Sequence, residues 1–397
     1  MATQVYFEPL GYIDQSQREM FDFPPEGYQF VLPRLGVGER LILNDFVLSG
    51  IYPWLDRLCR LARVPHLLLK AYVDSLRRQP PPGTALTYAY NHIVFRREPW
   101  LCQVEFPTNL VARDVSILRR WKGVVERAFA SPWCRKIIAW GEEGRQALLR
   151  SLDCRPFQHK IEVVPLGVRK RDFVKAYRND GKVRLLFVGS GNRSGEFHLK
   201  GGKEAIEAFL RLSHRYDNLT FVLRSDMPPY WRRRCQALLN VKIIDRPIPW
   251  SEMEEEYKAA DIFVHAALFP GYHVAPLDAM SYELPVVATD YGDVREKVED
   301  SVTGFLVPKS SRIPDLGEGG LPARHTRLRG VVEKSYRTLD EEIVRGLVEK
   351  ASILIEDAAL RRRMGMAGRR EVEEGRLSIG RRNAQLKRIF EEAIAQA

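Results

Sequence analysis

The sequence predicts an α/β protein with two parallel sheets, one in each half of the chain. Three observations predict it. Short apolar, β-rich runs alternate with longer amphipathic stretches. The alternation stops at a polar connector and restarts at Val183. Residues 261–308 carry the order strand, loop, helix, strand of a βαβ unit. With 397 residues, 45% hydrophobic and 28% charged, the chain is long enough for two domains that each bury a core.

In the first half, the strands are expected at 5–7, 28–32, 87–90, 101–104, 137–140 and 161–164. The turn Pro165-Leu166-Gly167-Val168-Arg169 and the charged run to Lys182 read as a boundary, which divides the chain into domains 1–168 and 169–379. The second half opens on the strand that starts at Val183, followed by a helix from about Gly202, a strand at 219–223, a helix at 230–239 and a strand at 241–244. Strands at 262–264 and 284–289 flank a helix start at 277–282, and a further strand covers 304–307. Residues 310–329, rich in Gly, Pro, Arg and Ser, read as an exposed inserted loop. Asp293 and Glu296, spaced D-x-x-E, read as a capping box for the next helix. The last helix, 383–395, has Ala384, Leu386, Ile389, Phe390 and Ile394 spaced for one apolar face.

Composition narrows the function classes. The start of the chain lacks a basic leader and an apolar core of signal-peptide length, and no apolar run is long enough to span a bilayer, so a cytoplasmic protein is expected. Cys59, Cys102, Cys134, Cys154 and Cys235 are odd in number and scattered, without C-x-x-C spacing, which points to reduced core thiols. A net charge of +11 calls for an acidic partner: nucleic acid, an anionic membrane surface or a nucleoside diphosphate. Residues 57–78 and 113–136 mix basic and apolar residues, as interfacial helices do, although core-packed helices need the same apolar positions. No D-x-D element lies near the expected site and no cluster has metal-ligand spacing.

In an open parallel sheet, ligands settle beyond the carboxyl ends of the strands. Two loops occupy that position: 187–202, which contains Gly189, Ser190, Arg193 and Lys200, and 270–274, which contains Gly271, Tyr272, His273 and Val274. His273 could equally be a surface residue. Asp278, in the following helix, could accept hydrogen bonds from a ligand or serve as a helix-capping carboxylate. In the first half, Glu105 ends a strand, and Asn91 and His92 end the strand before it; each has an ordinary solvated or structural alternative.

The segment 261–308 resembles the nucleotide-sugar signature of glycosyltransferase family 4, E-x-F-G-x-x-x-x-E-A-M-x-x-G-x-P-V-V. Leu277, Ala279, Met280, Pro285, Val286 and Val287 match, and Asp278 takes the place of the second glutamate. Pro270 stands where the first glutamate is expected, and His273 and Glu283 replace the two glycines. Residues 161–168 resemble the family's I-x-V-I-P-N-G-V, residues 360–370 its closing L-R-x-x-M-G-x-x-A-R, and Lys200-Gly201 the end of its G-R-x-x-x-x-K-G. Ser190 takes that pattern's arginine position, with Arg193 as the substitute. Upstream of Ile137 the resemblance is topological.

The resemblance implies a GT-B fold: two Rossmann-like domains facing across a cleft, with a terminal helix at about 380–397 crossing back to the first. It implies a retaining, metal-independent hexosyltransferase with no cofactor, whose co-substrate is a nucleoside-diphosphate sugar. Arg193 and Lys200 would meet the leaving phosphate and Asp278 the ribose. Asp245 and Arg246 would lie beside the base, with Gly189, Ser190, Gly271, Tyr272, His273 and Val274 around the diphosphate and sugar. Glu105 stands where many family members place an active-site histidine and could bind a sugar hydroxyl or steady the cation-like ring; Asn91 and His92, by their place at a strand end, are candidates for acceptor contact. The expected partners are the nucleotide sugar, a glycan, lipid-linked or small-molecule acceptor, and an anionic membrane surface at the inner face of the membrane; nucleic acid is not among them. An epimerase on the same fold and a catalytically degenerate basic membrane-surface protein are the alternatives.

Overall fold

The computed structural model describes residues 2–9, 15–32, 62–177, 180–189, 196–269, 271, 273–321 and 338–395. The chain divides into two compact units. The first comprises Met1–Leu166, Leu316–Leu328 and Ile379–Ala397, the second Gly167–Asp315 and Arg329–Ser378.

The first unit holds strands β1 (Thr3–Pro9), β2 (Tyr28–Val31), β3 (Thr84–Tyr90), β4 (Trp100–Val104), β5 (Cys134–Ala139) and β6 (Ile161–Val163) in one parallel sheet of order β2-β1-β3-β4-β5-β6. Alternate residues feed opposite faces, and both faces are covered, so the strands read as continuous apolar runs. Val5, Phe7, Tyr88, Leu101 and Ile138 join one core with Leu386, Ile389, Phe390 and Ala393 of the terminal helix Ile379–Ala395. Ala89, Cys102, Val104 and Ile137 join the other with Ile117, Leu118, Val125 and Phe129 of the helix Val115–Ala130, whose first turn is capped by Asp114.

The terminal helix thus docks on the first unit, as the fold resemblance implies. Phe390 meets the rings of Tyr28 and Tyr88 edge-on at 5.1 and 6.0 Å. Its inner face differs from the expected one. Ala384 is exposed and Ile394 half-buried, whereas Arg382 and Ala393 are buried. Arg382 is accommodated because its Nη2 donates to the carbonyl of Phe23 at 2.8 Å.

The second unit repeats the plan with β7 (Val183–Val188), β8 (Leu219–Arg224), β9 (Val241–Ile244), β10 (Ile262–His265), β11 (Val286–Asp290) and β12 (Gly304–Pro308), all parallel, in the order β12-β11-β10-β7-β8-β9. The central strands β10 and β7 are nearly all apolar because helices lie on both faces.

The expected exposed loop at 310–329 is corrected in part over its described residues: Ser311, Arg312 and Asp315 are exposed, but others are not. Ser310, Ile313, Gly319, Gly320 and Leu321 are buried. Thr108 Oγ1 donates to the Gly319 carbonyl at 2.9 Å, and the Gly319 amide donates to Ser151 Oγ at 2.7 Å. Gly319 and Gly320 adopt φ of 73° and 76°, and a Cβ on Gly320 would lie 2.0 Å from the Phe106 ring, so this turn needs glycine. The backbone of Gly319 is thus bonded inside the first unit, while Ser310 donates to Asp340 in the second. Residues 322–329 lie outside the described residues.

Candidate functional site

In the second unit, β7, β10 and β11 are neighbours and parallel, so the loops that follow them leave from one edge of the sheet. The first two loops are laced together. After the turn Glu196–Leu199, the Leu199 carbonyl accepts from Leu268 N at 2.8 Å. Gly201 then takes a left-handed φ of 72°, and a Cβ there would stand 1.8 Å from the Ala266 carbonyl oxygen. Only glycine lets the backbone of the first loop run this close to the second.

This lacing sets Lys200 against His273, with Nζ 3.3 Å from Nδ1. His273 Nε2 lies 3.1 Å from the Phe269 carbonyl, an acceptor only, so Nε2 carries the proton and Nδ1 offers its lone pair to the ammonium. The imidazole is buried, which removes the surface alternative. Behind it His265, at the end of β10, packs edge-on at 4.7 Å. Burial, reinforced by Lys200 and Lys297, holds both imidazoles well below the usual histidine range, so both are neutral at physiological pH.

Asp293 corrects a second expectation. It does not cap a helix. It sits buried in the turn Gly292–Glu296, accepts from the His273 amide at 3.3 Å and pairs with Lys297, which also donates to the His273 carbonyl at 2.8 Å. The pair clamps His273 from both sides of its backbone, and the His273 amide is therefore engaged within the protein. Burial lifts the Asp293 carboxyl to about 6 against the pull of Lys297, and burial lowers Lys297.

Asp278 lies in the helix Ala275–Ser281, which has no side-chain cap. Its Oδ1 accepts from Arg171 Nη2 at 3.0 Å. Arg171 is buried between the rings of Trp250 and Tyr282, 5.2 Å from each centroid. The capping alternative thus gives way to an ion pair.

Gly189 closes β7, its amide bonded to the Arg224 carbonyl at 2.8 Å, and Ser225 leaves no room for a Cβ. Gly271 is half-buried, and Val274 supplies the carbonyl that starts the Asp278 helix. Asp245 pairs with Arg232, and Arg246 with Glu252 at 3.1 Å; neither touches the Lys200 cluster. Ser190, Arg193, Pro270 and Tyr272 lie outside the described residues.

In the first unit, Asn91 and Glu105 are brought together. The Glu105 amide donates to Asn91 Oδ1 at 2.9 Å, and Asn109 Nδ2 donates to Glu105 Oε2 at 3.1 Å. His92 is buried and engaged on both sides, with Nδ1 3.0 Å from the Tyr90 carbonyl and Nε2 3.5 Å from Glu8 Oε1. Burial alone would raise Glu8, but His92 and Arg96 hold it at about 2. Both ring nitrogens of His92 thus face groups of the first unit.

The chain resembles several solved structures over its whole length. Sucrose-phosphate synthase from Thermosynechococcus elongatus superposes with a TM-score of 0.62 at 13% identity, covering 100% of both chains. A glycosyltransferase from Rickettsia africae gives 0.60 at 13% identity over 100% of this chain and 99% of that one. Anabaena HepE gives 0.57 at 14% identity over 98% and 99%. The fold is GT-B. Residues 182–318 match the family model of glycosyl transferases group 1. A sucrose synthase from Melioribacter roseus is 38% identical over 71 residues, which are 17% of this chain and 9% of that protein.

On this GT-B frame, Arg171, Lys297 and His265 escaped the sequence reading, and Asp293 reads there only as a cap. Lys297 and Asp293 stand four apart, a spacing that signals an ion pair. Arg171 and Asp278 are 107 residues apart, and no local pattern joins them. Among the described residues, no group of three or more His, Cys, Asp or Glu is placed to hold a metal ion, and no helix is long and apolar enough to cross a membrane.

Proposed function

We propose that the protein is a retaining glycosyltransferase of family 4 that moves a sugar from a nucleoside-diphosphate sugar to a hydroxyl acceptor. The carrying observation is the Lys200 ammonium, held by a neutral histidine at the carboxyl edge of the second sheet, inside the segment that matches glycosyl transferases group 1. Breaking the anomeric bond places growing negative charge on the leaving diphosphate, and a preorganised cation stabilises that charge. Lys200 has this role, and Arg193 shares it. Asp278, oriented by Arg171, takes the ribose hydroxyls. In the first unit, Glu105 steadies the reacting sugar and Asn91, bonded to its amide, contacts the acceptor.

With protein cations at the phosphate, no divalent ion or cofactor is required. The acceptor attacks the face from which the diphosphate leaves, and a leaving-phosphate oxygen takes the acceptor proton. Anabaena HepE has been solved with UDP-glucose, and Staphylococcus aureus TarM with UDP and an α-GlcNAc-glycerol. These make UDP-sugars the first donors to test.

The experiment is incubation of the full chain with UDP-glucose or UDP-GlcNAc and a panel of glycan, lipid-linked and small hydroxyl acceptors, with proton NMR of the anomeric signal. Retained configuration in an acceptor-dependent product supports the reading. An inverted product overturns retention, and a free sugar epimer formed without acceptor points to the epimerase instead.

A further inference from the structure

The helix His66–Arg77 in the first unit carries two apolar faces. Leu67, Leu68 and Ala71 are buried against the unit. Leu69, Tyr72, Val73 and Leu76 recur at i, i+3, i+4 and i+7, which places them along one stripe. That stripe is open to solvent, with fractional exposures of 49, 49, 41 and 65%. By contrast, the other basic amphipathic segment, helix Val115–Ala130, commits its apolar positions to the core. Tyr72 meets the Phe95 ring edge-on at 5.5 Å, and the rest of the stripe faces outward.

The borders of the stripe are cationic. Lys70 and Arg77 follow it along one side of the helix, and Arg63 and Arg78 stand at the two ends. Asp74 is the one carboxylate of the helix, and it is shared by Lys70 and Arg78, which leaves the border net positive. Arg63 connects to further basic surface, since its carbonyl accepts from Trp121 Nε1 at 3.3 Å on the helix that exposes Arg119, Arg120, Lys122 and Arg127. The whole chain carries +11.

We propose that the Leu69, Tyr72, Val73 and Leu76 stripe is a docking surface for an anionic lipid membrane, on which the helix lies in the plane of the headgroups. The apolar stripe enters the acyl boundary, Tyr72 keeps its hydroxyl at the polar level, and the flanking cations meet lipid phosphates. The area argues against a second copy of the chain. Four such side chains offer on the order of 400 Å², about half of what one partner contributes to a stable protein interface. An interfacial helix needs no more than a narrow stripe with basic borders. The proposal is independent of sugar transfer and holds whatever the chemistry of the second unit.

The test is sedimentation of the full chain with vesicles of phosphatidylcholine alone and with an equal mixture of phosphatidylcholine and phosphatidylglycerol, across a salt series. Binding to the anionic vesicles that weakens with salt is expected. Leu76→Glu and the double variant Leu69→Gln, Tyr72→Gln should reduce it about tenfold or more while circular dichroism and the unfolding midpoint stay unchanged. Equal binding to both vesicle types, no binding to either, or undiminished binding by the folded variants would overturn the proposal. So would a loss of self-association, seen by sedimentation velocity, as the only effect of the variants.

Discussion

Arg171 Nη2 lies 3.0 Å from Asp278 Oδ1, and two aromatic rings hold the guanidinium in place. The arginine comes from the connector that opens the second unit, the aspartate from the helix Ala275–Ser281. Removing one partner of a buried pair strands the other charge, at a cost of about 3–5 kcal/mol. Arg171→Met should therefore lower the unfolding free energy in urea by roughly 3 kcal/mol. Arg171→Lys, which keeps a charge but lacks the planar stack, should fall between the two.

Gly201 joins the loops after β7 and β10. Gly201→Ala places a Cβ 1.8 Å from the Ala266 carbonyl in a left-handed conformation, so the loops must separate. A loss of about 2 kcal/mol or more in stability is expected. Lys200 would move with its neighbour, and calorimetry should show weaker nucleoside-diphosphate binding.

Glu204 is buried beside Lys203 and accepts from the Asp340 amide at 3.2 Å. Burial raises its carboxyl from 4.5 to about 7. Between those two values the folded state binds more protons than the unfolded one, so this group's contribution to stability falls as pH rises through the window. Gln at this position has no such slope. The stability of Glu204→Gln relative to the parent should therefore improve between about pH 5 and pH 8, measured as the shift in urea midpoint at each pH. A constant difference would show that Glu204 does not titrate there.

The terminal helix is held by Phe390, fully buried against Tyr28, Phe30 and Tyr88. Phe390→Ala should cost about 3–5 kcal/mol. Ala384→Ser, on the exposed side, should stay within about 0.5 kcal/mol of the parent. Denaturant melts of both variants check the corrected face.

Each apolar run read as a strand, from 5–7 to 304–307, corresponds to one of β1–β12. Central strands buried on both faces leave this mark because most positions must be apolar, whereas 28–31, 161–163 and 241–244 are largely half-buried. Lys200 drew attention for a different reason: Lys200-Gly201 is similar to the end of the family pattern G-R-x-x-x-x-K-G and follows a strand. Charges neutralised at long range were not legible. Arg171 pairs with a residue from another element, and Asp293 looks like an ordinary cap until the fold buries it beside Lys297. His273 reads equally as a binding or a surface residue until its ring is seen between Lys200 and the Phe269 carbonyl. The loop at 310–329 misled because glycine and serine mark exposure in most contexts, whereas Gly319 and Gly320 are buried in a turn that no other residue fits.

The proposed role of Lys200 is tested most directly by thermal shift with UDP, GDP, ADP and dTDP, on the parent chain and on Lys200→Ala. A bound nucleotide at about a hundred times its dissociation constant adds roughly 2.7 kcal/mol to stability. One of the four should raise the melting temperature of the parent, and Lys200→Ala should lose that rise while remaining folded. No shift of the parent with any nucleotide, or a shift retained in full by Lys200→Ala, would contradict a diphosphate site at Lys200.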